Sequence, residues 1–332
     1  MTAFFVNLLT WINRLVGNYG WSIVVFTLLI RLVLLPLDIK SKKSMRAMSK
    51  IQPKVQALQK KYADDKEKLN QKTMELYRKE HVSPTSGCLP MLISLPILWI
   101  MFSAMRTLGN EYTIQMILDM KNTGALPELQ SWLWIKNVFQ PDSFAATILP
   151  AVGSTLSMIR PSGASSILTS ENIAAALEYL NSSEYSALAA QLAPASAFTV
   201  QPLRLLFINT TLILPNSLAN LFKYGNGLFI LPVLAGASQF LMTKIMNGKQ
   251  TPEEKEQQAQ QAAANQSNPM NSPVMKWFFP LFSVWICATS NAAFSIYWMA
   301  ANVIQIVQQM AVNWWFERHD AKNAEAVQET DN

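Results

Sequence analysis

The sequence predicts an all-α, polytopic membrane protein with five transmembrane helices, a cytoplasmic helical hairpin and an N-terminal interfacial helix. Three observations carry that fold class. Half of the 332 residues are hydrophobic and only 14% are charged. The apolar residues are clustered: residues 15–37 carry one charge, Arg31, whereas 82–105, 224–243 and 277–316 carry none. At about 1.5 Å of helical rise per residue each run can cross a hydrocarbon core of about 30 Å, and the last can cross twice. Finally, the runs lack the alternation of barrel strands, and backbone groups in lipid must pair within their own segment, which leaves helices.

In chain order, residues 1–18 place Phe4, Phe5, Leu8, Leu9, Ile12 and Leu15 at helical spacing, in a segment too short to span, which suits an interfacial amphipathic helix. Arg14 follows this apolar stretch rather than preceding it and there is no small-x-small site, so a cleaved signal is not expected. Residues 19–39 form the first span, with Arg31 near its middle. A lone cation there costs roughly 2.5–3.5 kcal/mol on insertion scales and needs water, a partner or a route to the interface.

Residues 40–82 then turn polar. From 38 to 81 there are 13 Lys or Arg and 6 Asp or Glu, a net +7, which the positive-inside rule assigns to the cytoplasm. Met48, Ile51, Val55, Leu58 and Tyr62 make one helical stripe, and Asp64-x-x-Glu67 reads as the cap of a second helix carrying Leu69, Leu76 and Tyr77. These two helices make the hairpin. Ser83-Pro84 opens the second span, 83–108, which contains Pro90 and Pro96.

Residues 109–224 form an extracytoplasmic loop. Within it, 151–200 are rich in Ala and Ser, which predicts partial order at best, while 143–159 and 205–222 are uncharged and read as interfacial or outer-domain helices. The third span is 225–247, followed by a Gln/Ala/Asn-rich flexible cytoplasmic loop, 248–272. The fourth and fifth spans, 273–316, meet at Thr289-Ser290-Asn291, and Trp314 and Trp315 mark the far interface. The tail 317–332 is acidic and cytoplasmic.

Composition excludes several functions. The formal net charge of +6 is explained by membrane orientation, so no direct nucleic-acid binding is expected. Cys88 and Cys287 both fall in predicted spans, where no disulfide is expected, and His81 and His319 are poor material for a metal site. No G-x-x-x-x-G-K-[ST] motif is present, since Gly248-Lys249 lacks the earlier glycine and the hydroxyl residue. The expectation is a non-enzyme with no cofactor and no metal. What stands out instead is polar residues within spans: Arg31, Ser94, Gln239, Thr243, Thr289, Ser295, Asn302, Gln305 and Gln308. Interhelical hydrogen bonding at about 0.6 kcal/mol each accounts for most Ser and Thr, but not for Arg31.

Three features in series, the Arg-bearing IRLVLLPLDIKSKK, the basic hairpin and the span PTSGCLPMLISLPI, resemble the YidC/Oxa/Alb family of membrane protein insertases. LWIKNVFQPD, LPVLAG and IYWMAANVIQIVQQ extend the likeness to about two thirds of the chain. The resemblance implies a five-helix core around a hydrophilic groove, open to cytoplasm and lipid and closed outside, with Arg31 as the groove arginine and the hairpin receiving substrates. It makes Arg31, Gln239, Thr243, Trp298, Asn302, Gln305 and Gln308 the candidate groove. The implied partners are nascent membrane proteins and the lipid bilayer, with the Sec translocon and the ribosome as further candidates, at a bacterial plasma membrane with the N-terminus outside and the C-terminus inside. Three features depart from the family: Met242 and Thr243 stand where a late third-span glutamine is common, about 70 extra residues lie in the outer loop, and the tail is acidic. A small secondary transporter or channel using Arg31 as an anion site is the rival, against which no inverted repeat is found. A scaffold leaves Arg31 unexplained.

Overall fold

A computed structural model of the chain describes residues 2–82, 89–150, 159–162, 165–205, 208–246 and 273–330. It forms two compact units, one of residues 29–101 and the other of residues 1–28 with 102–332. The helices are α1 (Thr2–Val16), α2 (Tyr19–Lys61), α3 (Lys66–Lys79), α4 (Leu89–Thr123), α5 (Ser170–Leu180), α6 (Ser183–Leu192), α7 (Leu218–Tyr224), α8 (Ile230–Met246), α9 (Pro273–Thr289) and α10 (Ala292–Thr330). Strands β1 (Phe198–Leu205) and β2 (Ile208–Pro215) pair antiparallel, with Phe198 opposite Pro215. Among the described residues one segment, Tyr19–Met48, is long and apolar enough to cross a bilayer, and Ile230–Ile245 and Trp277–Thr289 are shorter apolar helices.

In the unit of residues 29–101, the first span and the first hairpin arm are one continuous helix that carries Pro36 and Pro53 within it. The second arm, α3, is capped by Asp65, whose carboxylate accepts from Lys68 N at 3.0 Å; the expected cap, Asp64, stands one residue too early. His81 in the left-handed region (φ 53°) ends α3, with Val82 N donating to Tyr77 O, the 6→1 bond of a helix stop. Ser83-Pro84 and Cys88 lie outside the described residues, as does the loop 248–272.

In the other unit, α1 packs Val6, Leu9 and Ile12 inward and sets Phe5 edge-on to Phe26 of α2, leaving Phe4, Trp11 and Leu15 exposed. A Ser22 to Asn13 hydrogen bond (3.1 Å) ties the two helices together. Helix α4 runs 15 residues past its expected end at 108 and stops at Thr123, where Gly124 takes φ 63° and closes onto Met120 O. The extension exists because Ile114, Ile117 and Met120 continue an apolar stripe, and that stripe is covered by Ile173, Ala176 and Tyr179 of α5 and Tyr185 of α6.

The outer segment departs from the sequence expectations. Residues 143–150 are turns and bends rather than helix. Within the Ala/Ser-rich stretch residues 170–180 and 183–192 are helical: Thr169 and Ser182 cap α5 and α6 through their side-chain oxygens, and a few large apolar residues at helical spacing suffice to dock them. Residues 205–222 are not a helix throughout but supply β2 and only then the short α7. Thr and Ile recur in INTTLILP, and branched residues favour the pleated strand over the helix. Among the described residues the chain is mostly helical, with one two-stranded hairpin added to the expected helices.

Candidate functional site

Arg31 lies half-buried in α2, inside the apolar stretch, in the unit of residues 29–101. Asp38 is within Coulombic range of it, seven residues on and thus on nearly the same helical face. In the sequence Asp38 stands one residue beyond the apolar run, so Arg31 reads as its single charge; the i, i+7 spacing is the signal that places Asp38 near it. Farther along the same unit, Ile51 and Val55 are buried, and Met48, Leu58 and Tyr62 are half-buried. Lys54 Nζ meets Glu80 Oε1 at 2.5 Å and so ties α2 to the end of α3. The hydrogen bond from Lys54 holds the Glu80 carboxyl below its ordinary value.

The remaining candidates belong to the other unit, where α8 packs on α9 and α10. Gly236 of α8 permits that approach, since a Cβ there would lie 2.5 Å from Val284 Cγ2. On α10, Ser295, Trp298, Asn302, Gln305 and Gln309 recur every three or four residues along one face. Burial falls along this stripe: Ser295 is 0% exposed, Asn302 7% and Trp298 9%, whereas Gln305 and Gln309, and Gln308 beside them, are half-buried. The opposite face, with Val303, Val307, Met310 and Trp314, is apolar and exposed. In water such a helix would be inside out, and in lipid it is correctly oriented.

The hydrogen bonds sort these residues. Ser295 donates to Cys287 O of α9 at 3.0 Å; Cys287 is a buried free thiol. Asn302 Nδ2 donates to Ser238 Oγ of α8 at 3.0 Å, so the residue that α8 offers to the stripe is Ser238, a neighbour of the expected Gln239. Thr243 spends its hydroxyl on Gln239 O one turn back in its own helix (2.9 Å), and both side chains are half-buried. Trp298, wedged against Phe294, keeps an indole N–H that is buried without a hydrogen-bond partner among the described residues. No group of three or more His, Cys, Asp or Glu occurs among the described residues in a metal-holding arrangement.

A third polar cluster lies around Asp142. Asp142, in the LWIKNVFQPD stretch, is fully buried at the start of α8. Its Oδ1 accepts from Leu228 N (2.9 Å) and Phe229 N (3.1 Å), and its Oδ2 from Leu231 N (2.7 Å) and Trp134 Nε1 (3.4 Å). Beside it Asn137 and Asn226 exchange bonds, Asn226 Oδ1 accepting from Asn137 N and Asn226 Nδ2 donating to Asn137 O. Thr147 and Gly225 form a β-bridge. The outer segment thus leaves and re-enters the core at adjoining points. Lys136 donates to Phe222 O and Lys223 O at the end of α7, and burial lowers its ammonium pKa.

A family profile described as "60Kd inner membrane protein" matches residues 11–180 and 183–319. A protein of Fusobacterium nucleatum named membrane protein insertase YidC is 40% identical over 160 residues, covering 48% of this chain and 69% of the relative. One of the same name from Caldanaerobacter subterraneus is 50% identical over 101 residues, 30% of this chain and 49% of the relative. Another, from Bordetella petrii, is 43% identical over 107 residues, and there the match spans only 19% of the relative. The profile runs through α2, the hairpin and the stripe of α10, and on that extent of agreement the chain belongs to the 60Kd inner membrane protein family, whose relatives here carry the name of membrane protein insertase.

Proposed function

We propose that this chain is a membrane insertase and chaperone that receives nascent membrane proteins in a hydrophilic intramembrane groove and releases their helices into lipid. The observation that carries this reading is the graded stripe of α10. Its groups are buried from Ser295 to Asn302 and half-buried from Gln305 to Gln309, which fits a groove closed on one side of the membrane. In this reading the groove is formed by Arg31, Gln239, Thr243, Trp298, Asn302, Gln305 and Gln308. The hairpin stripe Met48, Ile51, Val55, Leu58 and Tyr62 receives the substrate. The core has five spans, with the N-terminus outside and the basic hairpin, the 248–272 loop and the C-terminal tail in the cytoplasm. The Sec translocon and the ribosome are candidate partners.

The mechanism uses no covalent chemistry. A polar flank that crosses bare hydrocarbon meets a barrier of several kcal/mol, and a wet groove shortens the dry distance. Arg31 supplies countercharge to acidic residues in transit, and Asp38 limits how tightly they are held, because a strong trap would slow release. Transfer of the substrate's apolar helix into lipid, at about 25 cal/mol per Å² buried, drives the exit. Purified protein in liposomes should insert a short single-span substrate without nucleotide, and protein-free liposomes should not. Equal insertion in both removes the reading. Cysteine labelling near Lys60 and Gln260 should occur only from the cytoplasmic side, and labelling from outside intact cells would reverse the orientation.

A further inference from the structure

At the outer end of the helices a cavity of about 390 Å³ lies between α4, the turn joining α9 to α10, and the loop residues Gln140 and Pro141. The turn side of it is held by several bonds. Gly109 lets the turn approach so closely that a Cβ there would collide with Asn291 Nδ2. Asn291 donates to Met105 O, while Ala292 N and Ala293 N donate to Gln140 O and Val138 O. The cavity is therefore framed by backbone and carboxamide bonds within one compact unit.

Its lining changes character along the helix axes, and it does so on both sides. On α4 the residues facing it run outward as Phe102, Arg106, Asn110 and Thr113; on α9 they run outward as Trp285 and Thr289. On these two helices apolar rings lie at the membrane end and polar groups at the outer end, with Arg106 between them, while the loop side is closed by Phe139, Pro141, Pro150 and Ile159. Arg106 is exposed, and no ion pair to it is found among the described residues. It stands where the second span is expected to leave the bilayer, at head-group level. A free anion would have no use for the aromatic end, and a purely apolar ligand no use for Arg106.

From this matched gradient we infer that the cavity holds an outer-leaflet phospholipid. Its phosphate lies on the Arg106 guanidinium, its polar head toward Asn110 and Gln140, and the start of an acyl chain along Phe102 and Trp285. An arginine presents a planar fork that suits a phosphate diester, and a cavity of this size lies within the range of small-molecule sites. The inference rests on the proposed topology, which puts this end of α4 at the outer surface. It adds to the insertase reading a lipid that fills the gap between the core and the outer segment.

The test is native mass spectrometry of the full chain released from nanodiscs made of a phosphatidylglycerol and phosphatidylethanolamine mixture. Wild type should retain one phospholipid. Arg106→Gln should lower its occupancy roughly tenfold, as loss of one charge-assisted contact implies, and Arg106→Lys should restore part of it. Asn110→Trp keeps the charge but fills the cavity, and should also expel the lipid. Equal retention in wild type, Arg106→Gln and Asn110→Trp overturns the site, as does displacement of the lipid by millimolar inorganic phosphate or by an acidic peptide. Insertion assayed on the same wild-type preparation reads the proposed function separately: failure there leaves a lipid site standing, and failure of lipid retention leaves the insertase standing.

Discussion

Two regions of this molecule bury polar groups, and they do so in opposite ways. In the outer cluster Asp142, Asn137 and Asn226 are each 0% exposed, and their hydrogen bonds join backbone on both sides of the long loop. Along the stripe of α10 the bonds are sparser: Ser295 donates to Cys287 O, Asn302 has one cross-helix bond to Ser238, and the Trp298 indole N–H has no hydrogen-bond partner among the described residues. An unmet buried donor costs about 1–3 kcal/mol, so a saturated cluster contributes stability whereas an unsaturated stripe gives some of it up. The contrast separates architecture from function. The first cluster ties residues 137–142 to residues 226–231 across the long loop between them, and the second leaves a buried donor that the proposed groove could use.

The sharpest way to break the comparison is Asp142→Ala. It strands Leu228 N, Phe229 N and Leu231 N at the start of α8, and should destabilise the folded protein by about 3 kcal/mol or more. Thermal unfolding in detergent would show it. Asp142→Asn keeps an acceptor and should lose about half as much. A change in insertion without a change in unfolding temperature would place Asp142 with the functional group instead.

Next in size is Arg31→Ala. If Arg31 is a countercharge, insertion of substrates with acidic flanks should fall roughly tenfold, about 1.4 kcal/mol, and Arg31→Lys should keep much of the activity. Neutralising the substrate's acids should remove most of the penalty, a coupling that a double-mutant cycle reads directly. Asp38→Asn should act oppositely, strengthening capture and slowing release. Additive losses in the cycle reject the electrostatic role while leaving the family assignment intact.

Smaller still is the α8 to α10 bond. Ser238→Ala and Asn302→Ala should each cost only about 0.6 kcal/mol of stability, the typical worth of a hydrogen bond between membrane helices. Asn302→Ala should nevertheless lower insertion by more than Ser238→Ala, because Asn302 lies on the open stripe itself. Equal activity losses in proportion to stability would mark the pair as structural glue.

Much of this was legible in the residues because hydropathy and charge act locally. The uncharged runs located the apolar helices, and the basic block located α3 and the arm of α2 that carries Ile51 and Val55. What escaped depended on partners far along the chain. Asp142 reads as an ordinary loop acid until Leu231, 89 residues on, comes to its side. The α5–α6 pair reads as low-complexity because its burial requires the α4 extension, which itself reads as loop once Arg106 and Glu111 interrupt the apolar run. The β-hairpin packs on little but itself and α7, and Asn216 joins the chain just before it through Ser196 O (2.7 Å) and Ala197 O (3.0 Å). Replacing residues 198–215 by a short turn should therefore leave folding intact. Removing 165–192 should not, since it uncovers Ile114, Ile117 and Met120.

The least effect is expected in the cytoplasmic arm, and it is the one set by pH. Lys54 donates to Glu80 and thereby holds that carboxyl below its ordinary value of 4.5. A carboxyl whose folded value is depressed contributes stability above its unfolded value, and loses it as pH falls through the folded one. The α2 to α3 tie should therefore be fully present near neutrality and should weaken only below about pH 4.5. Both partners are solvated, so salt should weaken it as well, the screening length falling to about 3 Å at 1 M. Hydrogen-exchange protection of residues 66–80, corrected for intrinsic rates, should thus drop modestly at acid pH and at high salt. Glu80→Gln should remove the salt dependence and the part of the pH dependence that lies below 4.5. Should protection instead persist unchanged in Glu80→Gln under all these conditions, the arm is held by the buried Ile51 and Val55 alone, and its charges serve orientation in the membrane rather than folding.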